Sequence, residues 1–369
     1  MVDSLPRADE VLIVDSHEDL AWNALTFGRD YMRSAAETRS LETGSPTPER
    51  NGNTLLGYPE WVRGRVAVVF ATLFAMPERW KTGLWEPAYT TPAEAWAMYS
   101  AQMDHYHRWV DEHPERLQLI GGRSDLEHVL ATWRAEEVRP PTIGLLPLME
   151  GAEAIADPSK VEEWVGRGVR AIGPAWASNA YCGGTAEPGG LTELGQELLE
   201  EMESFGLILD LSHMDEAAAL PALDRYGGVV MASHSNARRL VPEHPKPNRH
   251  LSDETIARLA ERQAVIGIVP YNPFLRGDWT PAMGKQAVSI DRVLDQIDHV
   301  CQVVGNAAHV GLGSDFDGGP SLEKVPAEIG TIADLQLLRA GLEQRGFSQP
   351  EVQGIFGGNW LNLLRRALR

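Results

Sequence analysis

The sequence predicts an α/β protein, a closed (β/α)8 barrel, on three observations. Short β-branched runs alternate with amphipathic segments, about eight times along the chain. Alternation of that kind builds a parallel sheet covered by helices. The chain has 369 residues, and eight such units in more than about 250 residues suggest closure into a barrel rather than an open sheet.

In chain order the predicted strands are Leu12–Asp15, Val66–Leu73, Ile143–Met149, Val169–Pro174, Leu207–Leu211, Val229–Ser233, Val265–Val269 and Val310–Gly313. Helices are predicted at Pro92–Glu112, Asp125–Glu136, Lys160–Arg167, Thr192–Ser204, Met214–Arg225, Asp253–Glu261, Ser289–Val304 and Ile332–Arg345. Ser252-Asp253-Glu254 opens one helix, and Ser348-Gln-Pro350-Glu351 opens another with proline near its first turn. Glu351–Arg369 reads as a closing helix whose basic last turn suits its dipole. No linker divides the chain, so residues 1–369 are expected to form a single barrel domain.

Two stretches interrupt the rhythm. Thr26–Arg63, after the first strand, is polar and rich in Arg, Glu, Thr, Gly and Pro. Inside a barrel such an insertion is either a disordered excursion or part of a lid over the site. Val241–His250 carries three prolines together with Asn248 and Arg249.

Composition narrows the partners. Hydrophobic residues make up 43% of the chain, enough for a sizeable core. Acidic residues outnumber basic ones, 52 to 33, for a formal charge of -19. That balance disfavours nucleic acid or an anionic membrane as partner. No run of about 18 apolar residues is present, so no transmembrane span is expected. The stretch Met1–Arg7 lacks an apolar region behind a basic start, so no secretory signal is visible. Cys182 and Cys301 do not make a disulfide framework and read as buried or incidental thiols. A cytoplasmic location is the expectation. Whether two copies pair into a homodimer is left open, because no interface is legible.

In such barrels the chemistry sits at the C-terminal ends of the strands. His17 and Asp19 follow the first strand, and Glu150 closes the third. His213 ends the fifth, His234 the sixth and Asp315 the eighth. His17 and Asp19, one residue apart, point the same way on a strand, because side chains alternate faces. An imidazole beside a carboxylate suits a borderline metal. Three imidazoles and two carboxylates are too few to surround two metals separately, and a bridging carboxylate solves this, with Glu150 the best candidate. Two divalent ions about 3.5–4 Å apart can share a hydroxide and lower its pKa toward neutrality. Histidine and carboxylate donors without cysteine favour zinc, with manganese, cobalt or iron as alternatives. Asp315 then serves as the proton carrier, or else as a sixth ligand or an orienter of another ligand. Asp317 is expected to cap the loop that follows.

These residues lie in motifs that resemble the membrane dipeptidase (renal dipeptidase) family of amidohydrolase-like barrels. The matching stretches are Asp15-Ser-His-Glu-Asp19, Glu150-Gly, Gly190-Leu-Thr-Glu-Leu-Gly195, Asp210-Leu-Ser-His213, Ser233-His-Ser235, Gly313-Ser-Asp-Phe-Asp-Gly318 and Gly358-Asn-Trp-Leu361. The resemblance implies a barrel of the metal-dependent hydrolase type and a binuclear zinc peptidase that cleaves dipeptides. It implies that His17 and Asp19 bind one metal, that His213 and His234 bind the other, and that Glu150 bridges. Asp315 matches the family's acid/base aspartate. Arg249 matches the arginine that holds the substrate's free carboxylate, a task suited to a guanidinium fork. A salt bridge within its loop is the alternative for Arg249.

One departure stands out. Trp176 aligns with the family histidine at the end of the fourth strand, which faces the scissile carbonyl. An indole donates one hydrogen bond and never becomes a cation. That leaves room for another small amide or a lactone as substrate. A barrel that binds a peptide or metal without turnover is a third reading, against which Asp315 argues, since a binder needs no proton carrier.

Overall fold

The computed structural model describes residues 11–134 and 140–369. Eight parallel strands ring the barrel: β1 (Ile13–Glu18), β2 (Val66–Phe74), β3 (Ile143–Glu150), β4 (Ala171–Gly173), β5 (Ile208–Asp210), β6 (Val230–Met231), β7 (Ile266–Ile268) and β8 (Val310–Leu312). Their spatial order is β6-β5-β4-β3-β2-β1-β8-β7. A parallel bridge between Ala232 and Ile266 joins β6 to β7 and closes the ring. Ala232 N–H donates to Val265 O at 3.0 Å, and Gly267 N–H donates to Ala232 O at 2.8 Å.

Every residue of β1, β2 and β3 is buried. Strands covered on both faces read as near-continuous apolar runs, which is why the sequence marks them so plainly. The barrel is tightest just beneath its C-terminal rim. Ser16 on β1 donates to Leu312 O at 2.9 Å and also to Ser233 O, spanning the axis. A Cβ on Gly267 would fall 1.9 Å from Ser233 O, and one on Gly313 2.0 Å from it. Only glycine allows those strands to approach so closely. This narrow floor holds the strand ends on a small rim.

The helices follow their capping signals. Thr91 and Glu94 form a capping box ahead of Pro92–Glu112, and Ser252 caps Asp253–Glu261 through Thr255 N–H. The predicted Asp125–Glu136 ends at Thr132 in the structure, and its last two residues lie outside the described residues. The closing helix is broken into Gln349–Gln353 and Asn359–Ala367 by a π-turn at Gly354–Gly358. A Cβ on Gly357 would lie 2.8 Å from Leu12 O, so the turn lets the chain press against β1. Asn359 then donates to Ala307 O and Val310 O at 2.7 and 2.8 Å.

Three features escaped the pattern. Leu117–Leu119 adds a short parallel strand beside the start of β3. Cys182–Gly184 and Glu187–Leu191 form an antiparallel hairpin after β4. Thr26–Arg63 is an ordered excursion with helices at Ala35–Glu42, Thr47–Asn51 and Tyr58–Gly64. Its anchor is Asp317, which the sequence assigned only to a loop cap. Arg29 Nη1, Tyr31 Oη and Thr54 Oγ1 donate to the Asp317 carboxylate at 2.9, 2.7 and 2.7 Å.

Candidate active site

The strand ends bring the predicted residues onto one rim. His17 Nε2 lies 3.6 Å from Asp19 Oδ2, 3.6 Å from Glu150 Oε2 and 4.0 Å from Asp315 Oδ1. The other oxygen of Glu150, Oε1, lies 3.0 Å from His213 Nε2 and 3.3 Å from His234 Nε2. Glu150 thus turns one oxygen to His17 and the other to His213 and His234, while the His17 and His234 rings themselves lie 3.7 Å apart. Two groups have metal-ligand spacing: His17, Glu150 and His234, and His17, Asp19 and Asp315.

The surroundings orient these rings as metal ligands are oriented. Ser233 Oγ donates to the buried Asp210 carboxylate and lies 2.7 Å from His234 Nδ1. With its proton so committed, the hydroxyl accepts the Nδ1 proton of His234 and leaves Nε2 a bare lone pair. Thr185 Oγ1 lies 2.9 Å from Nδ1 of His213 and holds that ring in place. Thr185 sits in the turn of the hairpin after β4, away from the barrel strand ends, so nothing in the sequence pattern pointed to it.

The donor set fits divalent metal. The Nε2 atoms of His213 and His234 approach to 2.9 Å. Burial, with the nearby Arg249, pushes His213 down to about 4, and burial, with the charges of His17 and Arg249, pushes His234 well below its ordinary range, so both rings favour the neutral form. A cation between them would take up both nitrogens at once. Buried His17 has no hydrogen-bond partner on either ring nitrogen, and Asp19 Oδ1 has none. Such orphans are costly unless something binds them. Burial disfavours the His17 imidazolium, but Glu150 and Asp19 outweigh it and hold the ring well above its usual pKa. The same carboxylates would attract a metal ion.

Asp315 lies at the edge of this cluster. Burial, reinforced by the charges of Asp19 and Glu150 and opposed by His17 and Arg249, pushes its carboxyl well above the usual range. Asp315 and His213 adopt left-handed backbone, with φ of 57° and 68°. Strained backbone at non-glycine residues clusters where function over-determines geometry. Gly318 supplies the missing space. A Cβ there would fall 2.0 Å from Asp19 Oδ2 and 2.4 Å from Asp315 Oδ1.

Above the carboxylates opens a cavity of about 410 Å³. Arg249 lines it, buried, donating to His234 O at 2.8 Å and Ser235 Oγ at 3.3 Å, with its guanidinium 5.0 Å from the Phe274 ring. The alternative of a loop salt bridge falls to its neighbours: Arg238 pairs with Glu216 and Arg239 with Asp253. Among the described residues no carboxylate pairs with Arg249. Trp176 also lines the cavity, edge-on to Phe74 with centroids 5.5 Å apart and 5.9 Å from the His213 ring. Arg50 and Asn51, from the excursion after β1, line the same cavity. The expectation of a disordered excursion is not met, since the segment is ordered and its Arg50 and Asn51 stand beside the site.

The sequence model of the membrane dipeptidase family, peptidase family M19, matches residues 7–368. The chain belongs to this family. Membership makes it a metal-dependent hydrolase of peptide bonds. The "Dipeptidase tcpJ" of Claviceps purpurea is 29% identical over 73% of the chain, which spans 61% of that relative's length. A solved dipeptidase of the same metallopeptidase family superposes with a TM-score of 0.77 at 24% identity, covering 97% of this chain and 99% of that one. A metallopeptidase from Rhodobacter sphaeroides, solved with a phosphinate mimic of the dipeptide L-Ala-D-Ala, gives 0.77 at 22% identity with the same coverage. At such identities the likeness shows the shared barrel. Among the described residues no helix is long and apolar enough to cross a membrane.

Proposed function

We propose that this family member is a zinc-dependent dipeptidase with two metal ions, held by His17 and Asp19 on one side and His213 and His234 on the other. Glu150 bridges them. The observation that carries this reading is the division of the Glu150 oxygens, Oε2 toward His17 and Oε1 toward His213 and His234. Nitrogen and carboxylate donors without cysteine support zinc. When bound, the metal pair supplies a water acidified toward neutrality and polarisation of the scissile carbonyl.

The chain's own groups do the rest. Arg249 receives the free carboxylate of the dipeptide, for which its cavity-facing, carboxylate-free guanidinium is suited. Asp315, entering as the carboxylate, takes a proton of the attacking water and then, as the carboxylic acid that its burial favours, delivers that proton to the leaving amine. The mimic bound by the Rhodobacter sphaeroides relative supports small dipeptides as the substrate class. The free thiols of Cys182 and Cys301 support a reducing, cytoplasmic setting.

The test combines composition with turnover. Protein purified without added metal is expected to carry two zinc equivalents per chain and to hydrolyse members of a panel of L-L and L-D dipeptides. Two metals with no dipeptide cleaved would move the proposal to another small amide or a lactone, the reading that Trp176 favours. Asp315→Asn with undiminished turnover would remove the acid/base role.

A further inference from the structure

The cavity has one wall with no part in the chemistry above. Trp22, Phe74 and Met76 form a small apolar cluster of their own, separate from the main core, against which Trp85 and Trp176 pack. All five side chains line the cavity. The wall is assembled from different loops: Trp22 from the helix after β1, Phe74 to Trp85 from the end of β2 onward, and Trp176 from the segment after β4. Cations from elsewhere in the chain lie over Trp85 and over the neighbouring Trp80, which packs against the same cluster. The Arg50 guanidinium is 5.4 Å from the Trp85 ring centre and Lys246 Nζ 4.9 Å from that of Trp80. Contacts of this kind fix the rings in place.

Topology sets where this wall lies relative to Arg249. Arg249 follows β6, and the bulk of the wall follows β2. In the order β6-β5-β4-β3-β2-β1-β8-β7, β2 and β6 are four places apart in either direction. They therefore face each other across the mouth, with the His17, Glu150, His213 and His234 cluster between them. A dipeptide whose carboxylate sits at Arg249 must run its scissile bond over that cluster, and its first residue then continues toward the β2 side. One Cα–Cα step is only about 3.8 Å, so the side chain of the first residue, and no other part, is left to meet the aromatic rings.

We propose that this wall receives the side chain of the substrate's amino-terminal residue, so that the enzyme selects dipeptides whose first residue is aromatic or large and aliphatic. The inference rests on the dipeptidase reading and on Arg249 as the carboxylate holder. Apolar pockets discriminate by the methylenes they bury, about tenfold or more for each well-packed group.

The experiment measures kcat/KM of the zinc-loaded enzyme on two series, X-Ala and Ala-X, with X as Gly, Ala, Leu and Phe. The X-Ala series is expected to climb at least about tenfold from Gly to Phe, and the Ala-X series to vary less. Trp85→Ala, or Trp85→Leu if the first variant does not fold, should lower the ratio of Phe-Ala to Ala-Ala. A flat X-Ala series, a slope confined to Ala-X, or a ratio untouched in the Trp85 variant overturns the inference and leaves the dipeptidase reading standing. Cleavage of no member with metals bound overturns both.

Discussion

Gly318 exists in this site for the sake of Asp19. A Cβ on residue 318 would lie 2.0 Å from Asp19 Oδ2, closer than real contacts permit, and the carboxylate would have to swing away. Gly318→Ala is therefore expected to lower metal content per chain and kcat/KM together, by about 10- to 100-fold in metal affinity, the usual cost when a ligand's support is disturbed. Circular dichroism should be unchanged, because the residue touches the rim and not the barrel wall. Full metal occupancy in the alanine variant would show that Asp19 is not held where its ligand role requires.

The excursion after β1 is predicted to stand or fall with one buried ion pair. Arg29 Nη1 donates to Asp317 at 2.9 Å while Nε donates to Glu42 at 2.8 Å, and all three side chains are buried. Removing one partner of such a pair strands the other charge, at a cost of about 3–5 kcal/mol. Arg29→Ala should lower the unfolding midpoint and expose residues 26–63 to limited proteolysis before the barrel is cut. Since Arg50 and Asn51 line the cavity, KM should rise as well. A loss of less than about 1 kcal/mol would mean that Tyr31 and Thr54 suffice to hold Asp317.

How much of this could be read beforehand divides by the range of the interactions involved. His17, Glu150, His213, His234 and Asp315 were legible because each lies at the end of a buried strand or within three residues beyond it, and the βα rhythm alone sends strand ends to one rim. Arg249 was reached only through a motif, since its position depends on how a proline-rich loop folds back over β6. Asp317 was misjudged because its partners lie more than 250 residues away in sequence. The short helices of the excursion are too brief to be stable alone, and their composition reads as loop until that anchor is seen. Leu117–Leu119 is three residues long and offers no period to detect. The aromatic wall draws on several loops, and no single stretch announces it.

Stability should fall with pH through one carboxyl outside the metal-ligand set. Glu153, partly buried, receives a hydrogen bond from Asn179 Nδ2 at 3.1 Å. Burial pushes its pKa from 4.5 up to about 7, further helped by Glu150 and opposed by its hydrogen bonds. Below about pH 4.5 the group is protonated in both folded and unfolded chains. Between there and about 7 the unfolded chain ionises first, so stability is lost as pH rises, by at most about 3 kcal/mol. Glu153→Gln should flatten the difference in denaturation midpoint between pH 5 and pH 8 relative to the parent protein. An identical slope in both proteins would assign it to other groups.

Replacing Trp176 would test how far this chain has moved from its relatives' substrates. The indole packs edge-on against Phe74 and lies beside the His213 ring, where the family resemblance places a histidine facing the scissile carbonyl. A neutral indole donates a single hydrogen bond, whereas an imidazolium donates and carries charge. Donors aimed at developing charge act in the transition state, so their gain appears in kcat more than in KM. Trp176→His is thus expected to raise kcat on Ala-Ala by about tenfold or more. The same change removes apolar surface from the cavity wall, so KM for Phe-Ala should rise. Opposite movements on the two substrates would separate the two tasks of this position. A fall in kcat on every dipeptide would instead show that the indole belongs to the catalytic arrangement of this chain, adapted to a different amide.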